Sequence, residues 1–122
     1  MADNFVQPGK VLQWTNGTGS AVTAGSVVVM GALLGVALVD IANGASGSVA
    51  IDGVFDVPKV SGAVIAQGES LTWDVSATAF DDNAAVAATG DLTGAAAVAA
   101  EAAGNGVTTM AVRFTGVPGT VA

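Results

Sequence analysis

Histidine, cysteine and tyrosine are absent from this 122-residue chain, and lysine and arginine together number only three. Each absence removes a class of function. Without His or Cys there is no Ser-His-Asp triad, no Cys-His nucleophile pair and none of the usual zinc ligand sets. Without Cys there is also no disulfide framework, so folding does not depend on an oxidising compartment. Lys10, Lys59 and Arg113 face ten acidic residues, giving a formal net charge of −7. Three scattered cations cannot neutralise a run of phosphates or hold an anionic bilayer, which argues against nucleic acid and membrane as partners. Long apolar runs are missing too. The longest, Val27 to Val39, is broken at Gly31 and Gly35 and falls short of the ~20 residues a spanning helix needs. The start, Met-Ala-Asp-Asn-Phe, lacks a basic region followed by an apolar one, so no signal peptide is expected.

What the chain does contain is apolar: 52% hydrophobic residues against 11% charged, with a mean hydropathy of +0.66. Charged residues usually make up about a quarter of a soluble domain. Much of the apolar content is alanine, which buries little area per residue, so a core built from it is thin. Surplus apolar surface on a thin core points to burial shared between protomers.

Alternation is the strongest local signal. Val49, Ile51, Phe55 and Val57 share one parity while Asp52, Val54 and Asp56 take the other, the pattern of a half-buried strand that Pro58 ends. Gln67-Gly68-Glu69-Ser70 supplies a turn, after which Leu71, Trp73 and Val75 alternate with Thr72, Asp74 and Ser76 as a second strand. Val11 to Thr15 reads as a short strand before the Asn16-Gly17 turn signal. Ser26 to Met30 and Leu33 to Asp40 read as two strands around Gly31-Ala32. Both are apolar on both parities, as in a strand covered on two sides. In a small antiparallel domain this implies a barrel interior plus a covered exterior, and it nominates Val27, Val29, Leu34, Val36 and Leu38 as a subunit interface.

Leu92 to Ala103 holds an alanine run of high helix propensity. An internal echo favours strand over Leu92 to Ala100: Leu33 aligns with Leu92, Gly35 with Gly94, Val39 with Val98 and Phe55 with Phe114. The last strand falls at Val107 to Thr115, and Gly116-Val117-Pro118-Gly119 is expected to stop the sheet. The resulting expectation is an all-β, single compact antiparallel domain, barrel- or sandwich-like with short loops, over residues 10–122. Residues 1–9 form an N-terminal arm.

The remaining chemistry is sparse. No nucleophile elbow, dinucleotide fingerprint or Walker loop occurs. Asp52 and Asp56 share a strand face but stand about 13 Å apart at ~3.3 Å per residue, beyond the separations that glycoside hydrolysis uses. Asp81-Asp82-Asn83 is a solvated loop tip rather than a calcium loop, because adjacent carboxylates do not converge on one ion. Lys59 reads as a surface lysine that could pair with Asp56 or with a neighbouring subunit. Trp14 and Trp73 could offer a sugar platform, but strand tryptophans beside Leu and Val are usually core. No cofactor, metal or catalytic residue is expected. A carbohydrate-binding β module and, behind it, a carboxylate-based glycoside hydrolase remain the rival readings.

Several stretches together resemble a known family. They are Asn4-Phe5-Val6-Gln7-Pro8-Gly9, Leu34-Gly35-Val36-Ala37, Gly53-Val54-Phe55-Asp56-Val57-Pro58-Lys59, Gln67-Gly68, Trp73-Asp74 and Val112-Arg113-Phe114. In this order and spacing, from Asn4 to about Phe114, they are similar to the capsid cement, or head decoration, proteins of tailed bacteriophages and prophages. The resemblance implies a compact β fold, a homotrimer and a structural role on the exterior of a virion, with the major capsid protein lattice as partner. It also implies synthesis in the bacterial host cytoplasm. On that reading Asn4, Phe5, Val6 and Gln7 of the arm contact the capsid.

Overall fold

A computed structural model describes residues 9–122. The strands are β1 (Val11–Thr15), β2 (Val27–Met30), β3 (Leu33–Ala37), β4 (Ser46–Ala50), β5 (Asp52–Pro58), β6 (Thr72–Asp74), β7 (Ala79–Asp81), β8 (Leu92–Thr93), β9 (Ala97–Ala99), β10 (Thr109–Thr115) and β11 (Thr120–Val121). No helix occurs among the described residues. The named strands pair antiparallel in three sheets, ordered β1-β4-β3-β2, β5-β10-β9 and β11-β8-β6-β7. This is the all-β, sandwich- or barrel-like architecture that the alternation implies.

The long strands of the sequence reading break where the chain changes sheets. The stretch from Val49 to Val57 is not one strand: it leaves the first sheet at Ala50, passes Ile51 and enters the second sheet as β5. The change of sheet falls at Ile51, and Gly53, just inside β5 and opposite Phe114, takes φ 130, which residues with a Cβ rarely adopt. Gly94 at φ 92 splits Leu92 to Ala100 into β8 and β9, which belong to different sheets. The second alternating stretch ends early, at Asp74, so Val75 is exposed while Thr72 is buried. The tail does not stop the sheet either, because β11 follows Gly119 and pairs with β8.

The main core holds Leu34, Val36, Val57, Leu71, Leu92, Met110 and Val112 among others. Edge-to-face aromatic contacts run through it: Phe55 to Phe114 at 5.9 Å, Phe114 to Phe80 at 5.9 Å and Phe80 to Trp73 at 4.8 Å between ring centroids. These rings tie the second sheet to the third, and contacts of this geometry add to the area they bury. The first sheet is covered on both faces within one chain. Leu34 and Val36 face the main core, while Val28, Ala37 and Val49 meet Ile41, Val22 and Trp14 in a second cluster on the opposite side. This chain's own loops therefore cover part of both apolar parities of β2 and β3, while Val27, Val29, Met30 and Leu33 stay half-buried and Leu38 and Val39 are exposed.

An internal repeat is present, but not the one that aligns Leu33 with Leu92. In that alignment Gly35 lies within β3 and its counterpart Gly94 in a turn. Pairing shows another correspondence. In the first half Val22 bridges Ile41 and Val27 pairs with Val36; in the second Ile65 bridges Ala103 and Ser70 bridges Val98. The Gly25 amide donates to the Ala37 carbonyl as the Gly68 amide donates to that of Ala99. Gly25 and Gly68 have φ 89 and 88, and Gly44 and Gly106 have φ 83 and 91. Strand order β1-β4-β3-β2 is thus repeated as β5-β10-β9 with the 69–71 segment beside β9. One difference separates the halves. The first closes its β2–β3 hairpin with the two-residue turn Gly31-Ala32, whereas the second inserts the excursion that carries β6, β7 and β8.

Candidate functional site: an open sheet edge beside a tryptophan-lined cleft

Strand β2 is an outer strand of the first sheet. Its register, closed at Met30 opposite Leu33 across a two-residue turn, alternates bonded and non-bonded pairs. It therefore turns the backbone N–H and C=O of Val27 and Val29 away from β3. Sheet edges are normally blunted by lysine, proline or a bulge, and Val-Val-Val-Met carries neither lysine nor proline.

Beside this edge the inserted excursion forms a cleft. One part, of about 420 Å³, is lined by Ala24, Gly25, Ser26, Val27, Pro58, Trp73 and Thr78. A second, of about 220 Å³, lies between Trp14, Val27 to Val29, Trp73, Val75 and Thr78. Trp73 is held at the centre of its sheet by pairing with both Phe80 and Leu92 and is only 4% exposed. Its indole N–H makes no hydrogen bond within the described residues and is not sealed in the interior, and the residue lines both parts of the cleft.

The opposite wall is a tight turn. Asp74 Oδ1 accepts the Ser76 hydroxyl at 2.7 Å and the amides of Ser76 and Ala77 at 3.0 and 3.1 Å. The Ser76 hydroxyl first, and then the Ala77 amide, hold the Asp74 carboxyl below its ordinary value of 3.8. This turn sets Thr78 at φ 49, the one positive φ at a non-glycine among the described residues. A β-branched residue there is strained, and such strain persists where the surroundings enforce it.

Two buried polar side chains lock the loops of the two repeats at equivalent places. Asn16, fully buried, donates its amide to the carbonyls of Ser20 and Ile41 and accepts the Thr18 amide and hydroxyl. In the second repeat Lys59 stands in the place of Asn16: the Asn16 amide donates to Ala45 O, and the Lys59 amide to Thr108 O. Lys59 is 3% exposed, and its Nζ donates to the carbonyls of Val60, Gly104 and Val107 at 2.8, 3.1 and 3.1 Å, with Ser61 O at 3.5 Å. The expected surface lysine is thus corrected to a buried internal cross-link, its ammonium spent on main-chain carbonyls. Asp91, also buried, accepts the amides of Val75 and Ala88 and so ties the ends of the excursion's loop together.

The other sequence candidates scatter. Asn4, Phe5, Val6 and Gln7 lie outside the described residues. Of the five residues nominated for a subunit interface, Leu34 and Val36 are buried in the main core, Val27 and Val29 are half-buried at the β2 edge, and Leu38 is 44% exposed. Asp52 and Asp56 both lie on β5, and Asp52 stands 3.9 Å from Arg113 in an exposed pair of little energetic weight. Asp81 and Asp82 spend side-chain oxygens on the amides of Asp82 and Ala84. No group of three potential metal ligands converges among the described residues. Trp73 is buried, and Trp14 is half-buried against the second cluster.

The chain matches the family model for phage cement proteins over residues 6–114. It belongs to the phage cement protein family. A search of curated proteins returns no match. Membership gives the chain a structural, capsid-stabilising role and associates it with the capsid of a virion, as the sequence resemblance implies. A cement protein needs shape and adhesive surface rather than reactive groups. The arrangement found here, polar side chains spent on the chain's own backbone and an unpaired sheet edge, suits that need.

Proposed function

We propose that this cement protein binds the outer surface of an expanded phage capsid as a homotrimer and stabilises the shell there. The observation that carries this reading is the family match over residues 6–114. Anything that binds the assembled shell but not its dissociated or unfolded parts stabilises it by mass action, so no chemical step is required. Asn4, Phe5, Val6 and Gln7 of the arm reach from the domain to the shell, with Phe5 as the apolar anchor. Contacts between copies fall to exposed apolar residues, Leu38 foremost among the nominated five, because Leu34 and Val36 are already occupied by the core.

The test mixes the purified protein with undecorated capsids and measures co-sedimentation and the gain in resistance of the shell to heat or chelator. Analytical ultracentrifugation at micromolar concentration reads the oligomeric state. Expected are retention on the shell, a gain in shell stability and a trimer. A monomer that does not sediment with capsids would overturn the reading. Deleting residues 1–9 should weaken attachment and leave the trimer intact.

A further inference from the structure

We propose that the β2 edge and the adjoining cleft receive an extended segment of the capsid shell protein, which adds to the first sheet as a further strand. The inference rests on the capsid-binding reading above and names the surface and the kind of contact.

Three observations meet at this place. The backbone N–H and C=O groups of Val27 and Val29 face outward from an apolar edge strand that carries no lysine or proline. An incoming strand satisfies such groups and gains one ladder bond for each. The cleft beside the edge is apolar, lined by valines and Trp73, and takes alternate side chains of that strand as the pleat directs them. Trp73, only 4% exposed, lines the same cleft, and its indole N–H has no partner among the described residues, so a strand carbonyl that reaches it supplies an acceptor.

Charge selects among occupants. The Asp40 carboxylate accepts the amide of Ala24, a lining residue, at 2.7 Å, and Asp74 follows the lining residue Trp73 and caps the turn that leads to Thr78, so two carboxylates adjoin the lining without being part of it. No cation lines either part. The segment that fits is therefore apolar in the middle and basic at its flanks. A second copy of this chain is a poor source, because its net charge is −7 and Lys59 is turned inward. That leaves Lys10 and Arg113 as the cations outside the core. A shell protein is free to carry the complementary charge.

The experiment uses the full chain and empty, undecorated phage capsids. Two variants block the edge by different means. Val29→Pro removes an amide hydrogen that points outward, which an edge strand tolerates. Thr78→Arg places a long cationic side chain at the cleft mouth and replaces the β-branched residue at positive φ. Retained folding is checked by near-ultraviolet circular dichroism, and amide hydrogen exchange is read with and without capsids.

The expected result is at least a tenfold loss of shell binding in both variants, with exchange at Val27 and Val29 slowed at least tenfold only when capsids are present. If the parent protein sediments with capsids while both variants bind equally well and the two amides stay fast, the edge inference falls and the capsid-binding reading stands. Protection of those amides that grows with protein concentration in the absence of capsids would identify a second copy as occupant and overturn the assignment. Failure of the parent protein to sediment would overturn both.

Discussion

Lys59→Met tests the claim that this lysine is a structural cross-link. The substitution keeps the aliphatic stem and removes the ammonium, leaving the carbonyls of Val60, Gly104 and Val107 without their donor. A hydrogen bond to a charged group contributes about 1.5–3 kcal/mol, so three bonds would sum to at least ~4.5 kcal/mol if nothing replaced them. Two effects reduce the loss. Gly104 and Val107 are on exposed loops, so water can reach their oxygens, and removing a buried charge relieves its desolvation cost. A net loss of about 3 kcal/mol remains. Unfolding entropy of ~2.1 cal/mol/K per residue gives roughly 0.26 kcal/mol/K for the whole chain, so the melting midpoint should fall by about 12 °C.

Differential scanning calorimetry at a fixed protein concentration reads the midpoint, with Lys10→Met as the control because Lys10 is exposed. The control should move the midpoint by less than ~2 °C, the size of an ordinary surface substitution. A Lys59→Met midpoint within ~2 °C of the parent would refute the reasoning. Lys59 would then behave as the solvated side chain that its sequence neighbourhood suggested.

Three further outcomes follow from the packing and the loop geometry. Gly35→Ala places a Cβ 2.5 Å from Val49 Cγ1 and 2.7 Å from Ala50 O, inside the first sheet where neither can retreat freely; overpacking of this kind costs about 1–3 kcal/mol, read as a lower urea midpoint. Asp91→Ala leaves the amides of Val75 and Ala88 without their acceptor, which costs about 2 kcal/mol and should speed exchange in residues 82–90 before the rest of the chain. The folded Asp74 carboxyl sits below its ordinary 3.8, so its contribution is complete above that value and is lost as pH falls through the lower folded value. The Ser76 and Ala77 amide signals should shift in that acid window in spectra of the parent and not in those of Asp74→Asn.

The strands were legible because their apolar residues alternate. Leu12 and Trp14, Leu71 and Trp73, and Met110, Val112 and Phe114 lie within or beside strands where the alternation places them. What periodicity cannot register is the point at which an extended chain changes sheets. At Ile51 and at Gly94 the chain changes sheets while the hydrophobic pattern continues. β7 and β11 escaped notice because they are two or three residues long, below the length at which alternation can be recognised. Lys59 was misread for a different reason: its partners are main-chain carbonyls, some more than forty residues away, and backbone acceptors leave no mark in a sequence. One signal could have found it. Aligning the turn glycines Gly25 with Gly68 and Gly44 with Gly106 puts Lys59 in the place of Asn16.

The repeat also explains why an adhesive surface arises where it does. In the first half the hairpin closes at Gly31-Ala32, and β2 is left as an outer strand. In the second half the segment equivalent to β2 runs through Leu71 into Trp73 and on into the excursion, so the corresponding chain is consumed by the third sheet. The cleft lies between these two unequal counterparts, with Val27 and Val29 on one wall and Trp73 and Thr78 on the other. A symmetric repeat would have placed a second hairpin there, with a second outer strand. The excursion breaks the symmetry, and in doing so it sets the outer strand of one repeat across the cleft from Trp73 of the other. The position of Trp73 should therefore depend on the excursion's own clamps. Asp91→Ala, which loosens those clamps without touching β2, should weaken shell binding as well as stability.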